Sequence, residues 1–321
     1  MSAALQPQHL LHLAAENGDL PYVQSLLAAG LDPTTKDADG RTPLHCAAQC
    51  GSVPVLRALL DAGAKKNVLD LGQATPIYTA AMFGKAEVVA ALVAAGANMN
   101  YPGKGGCSPL FAAAKRNDVQ TVEVLLQAGA NPNTPAYTTR VTALWAAAQT
   151  GCLELVRALI RGGADLEART KDGRTPLHVS AEHGHHQVVR ALLDAGADPD
   201  ARDIYDFPPT YMAERNHHPD CVEALRTALE ARRAAAAAAL VALRVEPSDT
   251  AADAGSADGA QHLAAPGAAK EQEPGVEPEP QKQRVEQSQE EHQAQEGQGL
   301  GLGGAAAAAP GGPEDSSAAG L

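Results

Sequence analysis

Aromatic residues are scarce, 3% of 321 residues, and Ala and Leu dominate a hydrophobic fraction of 45%. That scarcity excludes a large core built on rings; thin helices packed through small side chains suit the composition better. Positive charge is also short, with 25 Lys and Arg against 38 Asp and Glu and a formal net charge of −13. From Ala234 onward 14 carboxylates face 4 cations, leaving −3 for residues 1–233. A surface that tracks nucleic-acid phosphates needs a basic stripe, so no nucleic acid is expected as a partner. The five cysteines, Cys46, Cys50, Cys107, Cys152 and Cys221, form neither a disulfide framework nor a zinc pattern. They read as free thiols in a reducing compartment. Met1 to Leu11 lacks the cationic start and long apolar run of a secretory signal, and no stretch reaches the roughly 18 apolar residues of a membrane span. The expected location is cytoplasmic or nuclear, without a membrane partner. Phosphate loop, Gly-x-Ser-x-Gly elbow, His-Glu-x-x-His and paired-carboxylate patterns are all missing, so neither enzyme chemistry, cofactor nor metal is expected.

What is present is a recurring unit, most complete from Gly173 to Asp200. Gly173-Arg174-Thr175-Pro176-Leu177-His178 opens a short helix, Glu182-His183-Gly184 breaks it, and Val188, Val189, Leu192 and Leu193 carry a second helix ending at Gly196-Ala197-Asp198. Thr175 can cap the first helix through its hydroxyl, and Pro176 sits where a missing N–H costs nothing. The apolar stripe of the second helix is too small to bury itself within about thirty residues. A helical hairpin that must stack on copies of itself is the expectation.

The copies are in register. Thr42-Pro43-Leu44-His45, Thr75-Pro76-Ile77-Tyr78, Ser108-Pro109-Leu110-Phe111, Thr142-Ala143-Leu144-Trp145 and the unit at Thr175 follow at intervals of 33, 33, 34 and 33 residues. Reversal positions are Gly18, Gly51, Gly84, Asn117, Gly151, Gly184 and His217; second helices exit at Gly30, Gly63, Gly96, Gly129, Gly163 and Gly196. Period and Thr-Pro-Leu-His-x-Ala pattern together resemble the ankyrin repeat. That resemblance implies an all-α solenoid of stacked helix pairs with hairpin-like fingers along one edge. It covers residues 8–230, with units starting near 9, 42, 75, 108, 142, 175 and 208, and leaves no room there for a catalytic domain.

The first unit keeps Ala14, Ala15, Gly18, Val23, Leu26 and Leu27 without the Thr-Pro start, and the seventh has lost the motif. Both read as caps, preceded by a flexible N-terminus over residues 1–7. The last helix should start at Asp220, which with Glu223 forms a capping-box pattern, and extend over 231–246 until Glu246-Pro247 stops it. Residues 247–321, rich in Ala, Gly, Pro, Glu and Gln, cannot bury enough surface to offset ordering entropy and are expected to be a disordered acidic tail. Two fingers are irregular. Tyr101 to Gly106 is glycine-rich and expected to have a mobile tip, and Asn133 to Arg140 carries the one inserted residue and no glycine.

His45 and His178 could suggest a general base, but in the family this position hydrogen-bonds across the turn to a neighbouring repeat, and Tyr78, Phe111 and Trp145 replace it here. His183, His185, His186, His217 and His218 read as a solvated repeat edge rather than a metal centre. The resemblance implies a protein partner on the concave face of finger tips and first helices. Carried over position by position, that face is polar at Arg41, Gln49, Arg174, Glu182 and His183. Its centre is Leu69, Leu71, Met82, Phe83, Tyr101, Lys115, Arg116, Tyr137, Arg140 and Val141. The expected function is non-catalytic protein binding by a monomeric scaffold. The alternatives are a regulator sequestering a basic partner with repeats plus acidic tail, and an adaptor recruiting an enzyme or degradation machinery.

Overall fold

Each period of the sequence becomes two short antiparallel helices, because Thr-Pro starts the first and a left-handed residue ends it. The computed structural model describes residues 7–244, and these contain fourteen α-helices and no strand. The first helices of the seven pairs are α1 (Pro7–Glu16), α3 (Pro43–Cys50), α5 (Pro76–Met82), α7 (Pro109–Lys115), α9 (Ala143–Thr150), α11 (Pro176–Glu182) and α13 (Pro209–Arg215). Their second helices are α2 (Leu20–Ala28), α4 (Val53–Asp61), α6 (Ala86–Ala94), α8 (Val119–Gln127), α10 (Leu153–Arg161), α12 (His186–Asp194) and α14 (Pro219–Arg244). First helices pack on first helices of the next pair and second on second. The expected flexible N-terminus falls outside the described residues except for Pro7, which begins α1, and the expected disordered tail over 247–321 falls outside them entirely.

The core is continuous from one pair to the next. Leu44, Ile77, Leu110, Leu144 and Leu177 are buried in the same slot of successive first helices, and Leu59, Leu92, Leu125, Leu159 and Leu192 in that of the second. Alanine pairs such as Ala47–Ala48 and Ala147–Ala148 are fully buried between them, which lets the helices approach closely. α14 begins at Pro219 rather than Asp220, because proline fits the first helical position; Asp220 lies inside the first turn, where its charge complements the helix dipole.

Three sets of hydrogen bonds join neighbouring repeats. In the first, His12, His45 and His178 reach the carbonyls of Arg41, Ala74 and Phe207 through Nε2, at 2.9, 3.1 and 3.1 Å. The Nδ1 atoms of His45 and His178 accept the amides of Thr42 and Thr175, which places the ring proton on Nε2 and makes the imidazole part of the helix cap. Where the ring is Tyr78, Phe111 or Trp145, the hydroxyl of Thr75, Ser108 or Thr142 still accepts the ring residue's amide, but the return bond from the ring to the cap amide is missing. Among those three, the Trp145 indole N–H is buried without a partner.

The second set is a ladder in the turns after the second helices. Asn67, Asn100, Asn133 and Glu167 accept the backbone amides of Asn98, Asn131, Asp165 and Asp198 one repeat on, at 2.9, 2.9, 2.7 and 2.8 Å. The third joins the fingers by backbone alone: the amides of Leu71, Tyr137, Lys171 and Ile204 donate to the carbonyls of Asp39, Gly105, Thr139 and Asp172.

Two outcomes test this packing. Leu192→Ala should destabilise the chain by about 2–5 kcal/mol in a denaturant titration, whereas exposed Gln187→Ala should be nearly silent; the reverse order would overturn the helix register. Burial lowers the pKa of His178 to about 4 and that of His45 in the same direction. An unfolded histidine titrates near 6.5, so the unfolded chain binds more protons below that value and stability rises with pH. The histidine contribution should therefore be complete above pH 6.5 and fall away as pH drops from 6.5 towards 4. His178→Phe, which copies the residue at 111, should flatten the pH dependence of the thermal midpoint in that window. An unchanged slope would show that His178 is not held neutral.

Candidate protein-binding face

The finger turns set the geometry of the candidate face. Every finger closes through a residue with positive φ, at 40, 73, 106, 140, 173 and 206, and Gly105 precedes Gly106 in the same conformation. Gly40, Gly106 and Gly173 alternate there with Gln73, Arg140 and Asp206, whose φ values are 63°, 58° and 65°. A left-handed L-residue costs roughly 1–2 kcal/mol, so Arg140 is held in its position under strain. In the finger before it, glycines permit close approach rather than slack. A Cβ on Gly103 would lie 2.7 Å from the Tyr78 ring, and one on Gly106 only 2.2 Å from the ring of Tyr137. The finger forms a 3₁₀ turn at Lys104–Gly106, with Gly103 and Gly106 against the two rings and Gly105 exposed at the tip.

Nine of the ten central residues, all but half-buried Val141, fall into two rows. Met82 and Phe83 end α5, and Lys115 and Arg116 stand one repeat on at the end of α7; the Arg116 guanidinium lies over Gly84, 3.7 Å from where a Cβ would be. Phe83 and Met82 are 38% and 39% exposed, and both cations are exposed. The second row is on the fingers: Leu71 and Tyr137 at 77% and 68% exposure, exposed Arg140, and half-buried Leu69 and Tyr101. The carbonyl of Leu69 accepts from Lys36 Nζ at 2.8 Å. A seven-residue helix separates the rows, about 10 Å at 1.5 Å per residue. Within the first row, Arg116 lies over Gly84, the residue that follows Phe83.

The outer positions are occupied internally. Arg41 pairs with Asp37 at 3.0 Å and reaches Gln49, and Arg174 pairs with Glu182 at 3.1 Å. Lys115, Arg116 and Arg140 make no ion pair among the described residues.

Sequence reasoning missed the last finger. Ile204 and Tyr205 are 60% and 40% exposed, and Phe207 stacks on Tyr211 with ring centroids 4.1 Å apart. The outer fingers are therefore not all polar; the signal was the run Ile204-Tyr205-Asp206-Phe207 at the positions that Lys171 to Arg174 hold one repeat earlier. The histidine edge is also more than solvated surface. His185 and His218 reach the carbonyls of Gln149 and Glu182 through Nε2 at 3.0 Å each, bridging repeats. Cys46 is buried, with its thiol pKa pushed up to about 12 by burial, and it is unreactive as a nucleophile. No helix among the described residues is long and apolar enough to cross a membrane.

Comparison with known proteins agrees with this architecture. A family model described as ankyrin repeats (3 copies) matches residues 4–70, 63–136, 110–203 and 144–233. No curated protein matches the chain. Among solved structures, the ankyrin repeat domain of Bcl-3, titled a unique member of the IkappaB protein family, is 25% identical with a TM-score of 0.62, over 70% of this chain and 99% of that one. The human ASB11 ankyrin repeat domain is 28% identical with a TM-score of 0.59, over 68% of this chain and 96% of that one. Matched by the family model over most of its length, with the helix pairs, period and inter-repeat bonds described above, the chain belongs to the ankyrin-repeat family.

Proposed function

We propose that the chain is a non-catalytic binding protein whose partner protein lies across repeats three to five, on the fingers and the ends of α5 and α7. Ankyrin repeats are in general protein–protein interaction modules. The observation that carries the location is the coincidence of exposed Phe83 and Tyr137 with cations that have no internal counter-ion. Ring and guanidinium anchors supply most interface energy when a partner desolvates them, typically about 2 kcal/mol or more each. Polar side chains at the outer first-helix ends already bond within the array and offer less.

Phe83→Ala and Arg116→Ala should each reduce partner retention on the immobilised full-length chain by about tenfold or more, corresponding to about 1.4 kcal/mol. The thermal midpoint should stay within a few degrees, and Lys171→Ala and Arg202→Ala should retain the same partners at wild-type levels in quantitative mass spectrometry. The outer pair mattering while the central pair does not would sink the proposal. A second outcome uses the strain at position 140. Arg140→Gly should raise the thermal midpoint, because glycine adopts the left-handed turn without the steric cost, and should weaken partner binding. Stability gained without any loss of binding would remove Arg140 from the face.

A further inference from the structure

We infer, resting on the protein-binding reading above, that the partner segment seated on the central face is acidic and carries apolar side chains. The argument begins with where this acidic chain has no acid. Residues 99–117 and 124–153 contain no Asp or Glu, in a chain whose formal net charge is −13. They supply two consecutive fingers and the first helices α7 and α9. Between them lie only Asp118 and Glu123; Asp118 stands over Gly84 near Arg116 without forming an ion pair with it, and each carboxylate holds another partner. Asp118 accepts the amide and hydroxyl of Thr121 as the cap of α8, and Glu123 pairs with Arg161 at 3.5 Å across the second helices. Every other finger carries at least one carboxylate: Asp37 and Asp39, Asp70, Asp172, Asp203 and Asp206.

The local field at repeats four and five is thus positive, against the sign of the whole molecule. Lys115, Arg116 and Arg140 stand in it without ion pairs among the described residues, although carboxylates neutralise Arg41 and Arg174 on either side. An uncharged partner that covered these cations would strand them without water or counter-ion. A basic partner would add repulsion. Carboxylates on the partner supply charge-assisted hydrogen bonds to guanidinium forks, while Phe83 and Tyr137 take its apolar side chains. An extended strand advances about 3.3 Å per residue, so three or four residues bridge the two rows.

Selection of a random twelve-residue peptide library on the immobilised full-length chain tests this. The enriched pool should combine Asp or Glu with Leu or aromatic residues. Its affinity, read by fluorescence anisotropy on a representative peptide, should fall at least tenfold in Lys115→Glu/Arg116→Glu/Arg140→Glu and measurably in Arg116→Gln alone. Arg157→Glu/Arg190→Glu, on exposed positions of α10 and α12, should leave it unchanged. Binding should weaken between 0.1 M and 1 M salt, as the Debye length contracts from about 10 Å to about 3 Å. A neutral or basic pool that still requires Phe83 would overturn the acidic partner and leave the binding face standing. A pool indifferent to both Phe83 and the cations would overturn both readings, and failure to enrich any peptide would count against the acidic partner. Tighter binding of an oligouridylate, lost in the same charge-reversal variant, would assign the patch to phosphate and refute the inference.

Discussion

A two-helix unit of this length cannot bury its own apolar stripe, and that shortage governs the rest of the molecule. Leu192 is fully buried only because neighbouring pairs cover it, and the same holds at Leu59, Leu92, Leu125 and Leu159. Once stacking is obligatory, the polar backbone at each junction must also find partners one repeat away. The asparagine ladder, the histidine bonds and the finger-to-finger amides are three answers to this one requirement. Each recurs with nearly the period of the sequence, because each spans a single junction.

The junctions are not equivalent, and their differences bear on function. At the ends of the array a histidine bond secures the joint and arginines nearby are matched by carboxylates. Through the middle, rings replace the imidazole, one indole N–H is left buried without a partner, and the finger turn at 140 tolerates an arginine where glycine would be relaxed. The buried indole N–H and the left-handed arginine both belong to repeat five, whose finger also exposes Tyr137, while Arg174 Nε and Asp203 Oδ2, buried 3.8 Å apart without a hydrogen bond, and left-handed Asp206 place comparable costs at the last repeats. The acidic C-terminal sequence complicates any idea that the chain captures basic proteins through its repeats, since the central fingers have the opposite sign to that sequence.

Much of the fold was legible because the punctuation is local. Thr-Pro starts, left-handed stops and the spacing of Val188, Val189, Leu192 and Leu193 each act within a few residues, and the 33-residue interval shows that the units repeat. Contacts between units were harder to read. That Asn100 accepts the amide of Asn131 depends on how closely two turns stack, and nothing in Asn-Met-Asn reveals the distance. Glycines at 103 and 106 look like slack until the rings of Tyr78 and Tyr137 are placed against them. The candidate face was legible as a list of positions, but its division into two rows needed the length of α5 and α7. Ile204 and Tyr205 escaped notice because a degenerate final repeat suggested a plain cap.

The finger between repeats four and five contains one residue more than the others, yet α9 and α10 stack on their neighbours as the other pairs do. Asn133 before the finger still meets Asp165, and Tyr137 and Thr139 still make their cross-finger bonds, so the extra length is taken up around Thr138 at the exposed tip. Tip length and stack geometry are thus uncoupled. Recognition can drift by insertion at the fingers while the scaffold beneath is inherited unchanged, which gives such an array latitude to acquire new targets without refolding.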